Sequence, residues 1–261
     1  MSIDHTAEDW SLHRGESLAW LRSLPDASVD GIVTDPPYSS GGATFADRSS
    51  RTSMKYPQSG TKAERIDFAG DTRDQRAFVI WCSIWLTECL RIAKPGSPVC
   101  VFTDWRQLAA THEALQVGGW VIRGIAPWDK TEGCRPQMGA FSAQAEYVVW
   151  GFAGPRDQSV AKEVGCLPGV FRGATSRDRD HMTEKPIDVM RQVVRIVRPG
   201  GLILDPFAGS GSTGVAALAE GRRFAGCEVV QHYADIARGR LAEAAGGASR
   251  RDEHPDLWGA A

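Results

Sequence analysis

The chain has 261 residues, 42% of them hydrophobic and 24% charged, with 28 Gly, 14 Pro and a net charge of −2. That composition excludes a disordered chain, a collagen and a coiled coil. The near-zero charge excludes a uniformly basic coat for nucleic acid, so any DNA contact has to come from local basic patches. A chain of this length buries roughly 70–75% of the surface it exposes when unfolded, which suits one large α/β domain or one domain with a modest insertion. No apolar run approaches the ~20 residues of a membrane span. Met1-Ser2-Ile3-Asp4-His5 lacks the basic start and apolar stretch of a signal peptide. The expectation is a cytoplasmic protein without membrane contact. The cysteines at 82, 89, 100, 134, 166 and 227 form no C-x-x-C pair and have no His at ligand spacing. They read as reduced thiols, with no metal site and no disulfide.

In chain order, Gly31 to Thr34 is a buried strand that stops at Pro36-Pro37. Ser39 to Gln75 is rich in Ser, Thr, Gly and charge, and reads as a long mobile loop. Phe78 to Ile92 repeats apolar residues at helical spacing through Ile80, Ile84, Trp85 and Ile92. Val99 to Phe102 is a strand and Trp105 to Val117 a helix; Trp120 to Ile125 and Glu146 to Phe152 are two further strands. Gly154 to Asp180 fits no regular element and reads as a short insertion. Pro186 to Val197 is a helix, Leu202 to Asp205 a strand running into a glycine-rich turn, and Thr213 to Ala219 a small-residue helix. Phe224 to Glu228 is a strand and Tyr233 to Ala244 a helix. The alternation of short strands and amphipathic helices predicts an α/β fold with a mostly parallel sheet. Residues 1–245 read as one domain and 246–261 as a flexible tail.

The turn Asp205-Pro206-Phe207-Ala208-Gly209-Ser210-Gly211-Ser212-Thr213 links a strand to a helix. Glycines there admit a ligand close to the backbone, and the helix start offers free N–H groups. No Lys-Ser/Thr follows at phosphate-loop spacing, whereas Gly209-x-Gly211-x-x-Gly214 fits a dinucleotide fingerprint. Glu228, at the end of the next strand, can accept both hydroxyls of a ribose. NAD and S-adenosylmethionine both carry one.

Asp35-Pro36-Pro37-Tyr38 lies at the end of an apolar strand, where ligands bind in open α/β sheets. The prolines remove two N–H donors and fix the backbone, while their carbonyls remain acceptors. Asp35 adds a carboxylate and Tyr38 a flat aromatic face. An exocyclic base amine is a poor nucleophile because its lone pair is delocalised into the ring. Hydrogen bonds from its two N–H groups to Asp35 and the Pro36 carbonyl would localise that lone pair for attack on an activated methyl group. Tyr38 would stack on a base turned out of the duplex.

Together these motifs resemble those of the S-adenosylmethionine-dependent DNA amino-methyltransferases. His181-Met182-Thr183-Glu184-Lys185-Pro186, the run Leu24 to Asp30, Trp128-Asp129-Lys130 and Glu146-Tyr147-Val148-Val149 extend the resemblance over most of residues 10–243. The catalytic motif precedes the cofactor motif, as in the beta arrangement of that family, to which the cell-cycle-regulated adenine methyltransferases belong. The resemblance implies a Rossmann-like methyltransferase fold in circularly permuted order, its two corners meeting across adjacent strand ends. It implies catalytic roles for Asp35, Pro36, Pro37 and Tyr38. It implies cofactor contacts from Asp205, Phe207, Gly209, Gly211, Ser212 and Thr213, with Glu228 on the ribose, Thr183 and Lys185 at the methionine end and Glu16 near the adenine moiety. Asp at the first motif position favours adenine as target, with the cytosine 4-amino group as the alternative.

Arg48, Arg51 and Lys55, interleaved with Ser and Thr just after the catalytic motif, suit phosphate contact. Arg172, Arg177 and Arg179 form a second such stretch. A homodimer is in keeping with the family. Two other readings are an NAD-linked oxidoreductase, which leaves the Asp-Pro-Pro-Tyr corner without a role, and a DNA-binding module with a vestigial cofactor fold. Cofactor titration separates the last from an enzyme.

Overall fold

The computed structural model describes residues 4–38, 74–132, 134, 136–174 and 185–252. The elements are β1 (Asp4–Thr6), β2 (Trp10–Arg14), α1 (Ser17–Ser23), β3 (Gly31–Thr34), α2 (Gln75–Ile92), β4 (Pro98–Thr103), α3 (Leu108–Val117) and β5 (Val121–Asp129). They continue with β6 (Ala145–Phe152), α4 (Gln158–Val164), β7 (Phe171–Arg172), α5 (Ile187–Val194), β8 (Leu202–Asp205), α6 (Ser212–Ala219), β9 (Arg223–Glu228) and α7 (Gln231–Asp252).

The strands form one mixed sheet in the order β1-β2-β9-β8-β3-β4-β6-β5-β7. Its centre, β2-β9-β8-β3-β4, is parallel. β6 joins antiparallel to both β4 and β5. All residues of β3 and β4 are buried, as strands covered on both faces require. Alternate residues feed two cores. Val33, Phe102, Val148 and Ile203 pack with α5, α6 and α7, while Ile32, Val101, Val149 and Leu204 pack with α1, α2 and α3.

A buried carboxylate ties the two central strands. Asp30 takes the Leu202 N–H on Oδ2 at 2.9 Å and the Lys94 and Arg198 side chains on Oδ1 at 2.8 and 3.1 Å. This fixes the entry to β3 against β8, and hence which residues emerge together at the far end. Burial raises the Asp30 carboxyl, and the Lys94, Leu202 and Arg198 contacts outweigh it, so the group sits below its ordinary value.

Several boundaries and faces differ from the sequence reading. α2 begins at Gln75 because the Asp74 side chain caps it, accepting the Ala77 N–H at 2.9 Å. Its buried stripe is Phe78, Cys82, Trp85, Leu86, Cys89 and Ile92, whereas Ile80 and Ile84 point outward. α3 starts at Leu108 rather than Trp105, because the Asp104 carboxylate takes the Arg106 and Gln107 N–H groups into a turn. The segment from Gly154 is not wholly irregular: it holds α4, capped by Asp157, and β7, which pairs with β5. The last helix runs on through Gly246 to Asp252, with no proline before Pro255 to stop it, so the expected tail is helical over its first part. β1, β2 and α1 add an edge to the sheet that the sequence reading did not place.

Candidate active site

The ends of β3 and β8 are adjacent and joined directly. The Thr34 hydroxyl donates to Asp205 Oδ1 at 2.7 Å, in a buried bond across the two motifs. The expectation that both corners meet at neighbouring strand ends therefore holds. Asp205 Oδ1 also accepts the Phe207 N–H at 3.0 Å, which turns the chain sharply into the glycine segment. Burial pushes the Asp205 carboxyl up to about 6, against the pull of Thr213, Thr34 and Phe207.

Beyond Phe207, which packs on Trp81 and Trp85 at centroid distances of 5.4 and 5.2 Å, the turn bends at two glycines. Gly211 caps α6 in the left-handed region at φ +86°, and a Cβ there would lie 3.1 Å from Ala237 Cβ. Gly209, at φ +52°, faces open space. Glu228 closes the turn from β9: its Oε2 accepts the Gly209 N–H at 3.0 Å and its Oε1 the Val230 N–H at 2.8 Å. Burial raises the Glu228 carboxyl, partly countered by the Val230 and Gly209 N–H groups. Ser212 and Thr213 are buried in the first turn of α6.

Glu16 stands beside this turn, because the Gly15 N–H bonds the Glu228 carbonyl and the Ser17 hydroxyl bonds the Pro206 carbonyl. The Glu16 carboxylate caps α1, accepting the Leu18 and Ala19 N–H groups at 3.0 and 2.7 Å.

At the other corner, Asp35 is engaged on both oxygens. Oδ1 accepts the Tyr38 hydroxyl at 2.5 Å and Oδ2 the Lys185 ammonium at 2.6 Å. Lys185 is buried just before α5, with its ammonium 5.1 Å from the Tyr38 ring centre and 5.5 Å from that of Phe102. Its ammonium is engaged at the Asp35 corner. The sequence reading missed two members of this cluster. Glu146 Oε2 lies 3.3 Å from Lys185 Nζ and 3.5 Å from the Tyr38 hydroxyl, and Oε1 lies 3.3 Å from Lys130 Nζ. Both sat in strings the resemblance quoted, Trp128-Asp129-Lys130 and Glu146-Tyr147-Val148-Val149. A charged residue opening an otherwise apolar strand was the available signal.

Burial raises the Asp35 carboxyl above the ordinary range, with Lys185 and Tyr38 pulling it back in part. Burial also opposes the charged form of Glu146, but Lys185 and Lys130 outweigh it and hold that carboxyl low. Lys185 itself is disfavoured by burial, yet Asp35 and Glu146 together raise it, so it stays an ammonium.

Beside this corner, past the end of β4, opens a cleft of about 560 Å³ lined by Trp105, Arg106, Gln137, Phe141 and Tyr147. The Arg106 guanidinium lies 4.9 Å from the Trp105 ring centre, and Phe141 is fully exposed. Thr183, Arg48, Arg51 and Lys55, together with Arg177 and Arg179, lie outside the described residues. Among the described residues no group of His, Cys, Asp and Glu forms a metal site, and no helix is long and apolar enough to cross a membrane.

The fold and this geometry define an α/β protein whose crevice lies outside the carboxyl ends of neighbouring parallel strands, the usual ligand site of such sheets. A family profile described as DNA methylase matches residues 29–239, and the chain belongs to this N6/N4 DNA methylase family. It is 30% identical to YubD of Escherichia coli (strain K12) over 230 residues, 88% of each chain. Two solved structures are similar in fold. One is TTHA0409 of Thermus thermophilus in complex with S-adenosyl-L-methionine, with TM-score 0.63, 22% identity, and 90% of this chain and 96% of that one covered. The other is the cytosine-N4-specific PvuII DNA methyltransferase, with TM-score 0.66, 17% identity, and 94% and 93% covered.

Proposed function

We propose that the protein transfers the methyl group of S-adenosylmethionine to the 6-amino group of adenine in DNA, acting on a base turned out of the duplex. Family membership supports DNA amine methylation. The observation that carries the reading is the Thr34–Asp205 bond, which sets the Asp35 corner and the glycine turn side by side. The cofactor fits the turn. Gly209 leaves open space where a side chain would project, and the half-buried Glu228 carboxylate, which accepts the Gly209 and Val230 N–H groups, has acceptor capacity left for a ribose diol. Phe207, Ser212, Thr213 and Thr183 complete the proposed cofactor side, with Glu16 beside the turn.

When bound, S-adenosylmethionine supplies a methyl group on a positively charged sulfur. The chain's own residues prepare the nucleophile. Asp35 and the Pro36 carbonyl accept the two amine N–H bonds, drawing the lone pair out of conjugation and fixing its direction. Tyr38 holds the base by its ring. Such positioning accounts for much of the rate in a transfer of this kind. We place DNA over the sheet end, with Arg48, Arg51 and Lys55 on phosphates and the Trp105–Phe141 cleft as a stacking surface beside the target. The chain order, catalytic corner first, agrees with a permuted beta-type domain over residues 1–245. The Asp at position 35 favours adenine. The likeness to the PvuII enzyme keeps the cytosine 4-amino group as a second reading with the same chemistry.

The test uses methyl-labelled S-adenosylmethionine and unmethylated DNA. The wild-type protein labels the DNA, while Asp35→Ala binds the cofactor within about threefold of wild-type affinity and loses about 100-fold or more in transfer. Turnover retained in Asp35→Ala would contradict the proposed amine activation.

A further inference from the structure

The Asp35 corner presents a difficulty. The carboxylate that should receive the target amine already accepts two strong bonds, from Tyr38 at 2.5 Å and Lys185 at 2.6 Å. Each oxygen keeps a lone pair, but a carboxylate already bonded by a hydroxyl and an ammonium offers less negative charge, so it is a weaker acceptor for the target amine. The same two donors share a second acceptor. Glu146 Oε2 lies 3.3 Å from Lys185 Nζ and 3.5 Å from the Tyr38 hydroxyl, near enough for either donor to be taken over by a movement of under about 1 Å. Lys130 engages the other Glu146 oxygen and so fixes the carboxylate in that orientation. The cluster of Asp35, Glu146, Lys185 and Lys130 is charge-balanced, so passing a donor from one carboxylate to the other leaves the net charge unchanged.

We infer that Glu146 is a positioning residue: it takes Lys185 and Tyr38 from Asp35 when the target amine arrives, freeing Asp35 to accept the amine N–H. Without it the two donors stay on Asp35, which then polarises the amine less strongly. This rests on the proposed amine transfer. Its register is built into the sheet: β6 pairs Tyr147 with Thr103 of β4 and Glu146 with Trp128 of β5, which brings Glu146 to the sheet end where Asp35 emerges. The charged and titratable groups facing Asp35 are Lys185 before α5, Tyr38 on its own segment, Glu146 on β6 and Asp205 on β8; Asp104, after β4, acts on Tyr38.

The experiment compares the wild type, Glu146→Gln and Glu146→Asp in two readouts. The first is kcat at saturating cofactor, with cofactor affinity measured separately by calorimetry. The second is the titration of the Asp35 carboxyl carbon by NMR in the protein without substrate, assigned by its loss in Asp35→Asn. Glu146→Gln is expected to lower kcat about 100-fold while cofactor affinity stays within about threefold. The Asp35 carboxyl should titrate at lower pH than in the wild type, because a neighbouring negative charge is gone and Lys185 is left to Asp35 alone. If Glu146→Gln does not fold, Glu146→Asp, whose carboxylate is one methylene short of Lys185, should lower kcat about tenfold at unchanged cofactor affinity. Wild-type kcat in either folded variant, or an unmoved Asp35 titration in Glu146→Gln, overturns the inference. A wild type that transfers no methyl group contradicts the functional reading instead, and the titration still judges the network.

Discussion

Two carboxylates of this site are held in different ways. Asp35 is held by side-chain donors that can move, Tyr38 and Lys185. Glu228 is held by backbone N–H groups of Gly209 and Val230, which cannot. The first arrangement suits a group that must exchange partners during a reaction, the second a fixed acceptor for a ribose. Hydrogen bonds to a charged acceptor contribute about 1.5–3 kcal/mol each. Glu228→Ala is therefore expected to weaken S-adenosylmethionine binding about 10- to 100-fold by calorimetry, with the fold retained. Unchanged affinity would remove Glu228 from the cofactor site.

At the scale of elements, the site depends on β3 and β8 lying in fixed register, and Asp30 is the clamp. Its carboxyl lies below the ordinary value of 3.8 in the folded state, so its contribution is present above that pH and is lost as the pH falls through the lower, folded value. Lys94 and Arg198 are partly exposed, which weakens their share. Asp30→Ala should still cost about 3 kcal/mol at neutral pH, since it strands the Leu202 N–H and two cations, and the difference from wild type should shrink in acid. Denaturant unfolding at pH 7 and pH 3 checks both. Elements such as β3 and β8 were legible in the sequence to the residue, because strands buried along most of their length read as short apolar runs between Gly and Pro. β2 was not, because Ser11, His13 and Arg14 break its apolar signal. The face of α2 was misread because Ile80 and Ile84 outrank Cys82 and Cys89 in hydrophobicity, though the cysteines are the residues that pack inside.

For the whole molecule, the same contrast separates what a motif carries from what a fold assembles. Asp35 to Tyr38 and Asp205 to Thr213 are contiguous, and their chemistry can be read along the chain. The cluster of Glu146, Lys130 and Lys185 exists only because an antiparallel strand folds back beside β4 and brings Glu146 to Lys185, just before α5. The charged residue opening β6 marks one member, but no local pattern names its partners. The net charge of −2 places the same demand on the proposed DNA contact, which would have to come from gathered basic side chains rather than from the overall field. The identity of the methylated atom decides between the two readings of the site. The most direct measurement digests DNA treated with the protein and S-adenosylmethionine to nucleosides and identifies them by mass and retention. N6-methyl-2′-deoxyadenosine is the predicted product. N4-methyl-2′-deoxycytidine would contradict the base assignment, and no methylated nucleoside from either duplex or single-stranded DNA would contradict the function itself.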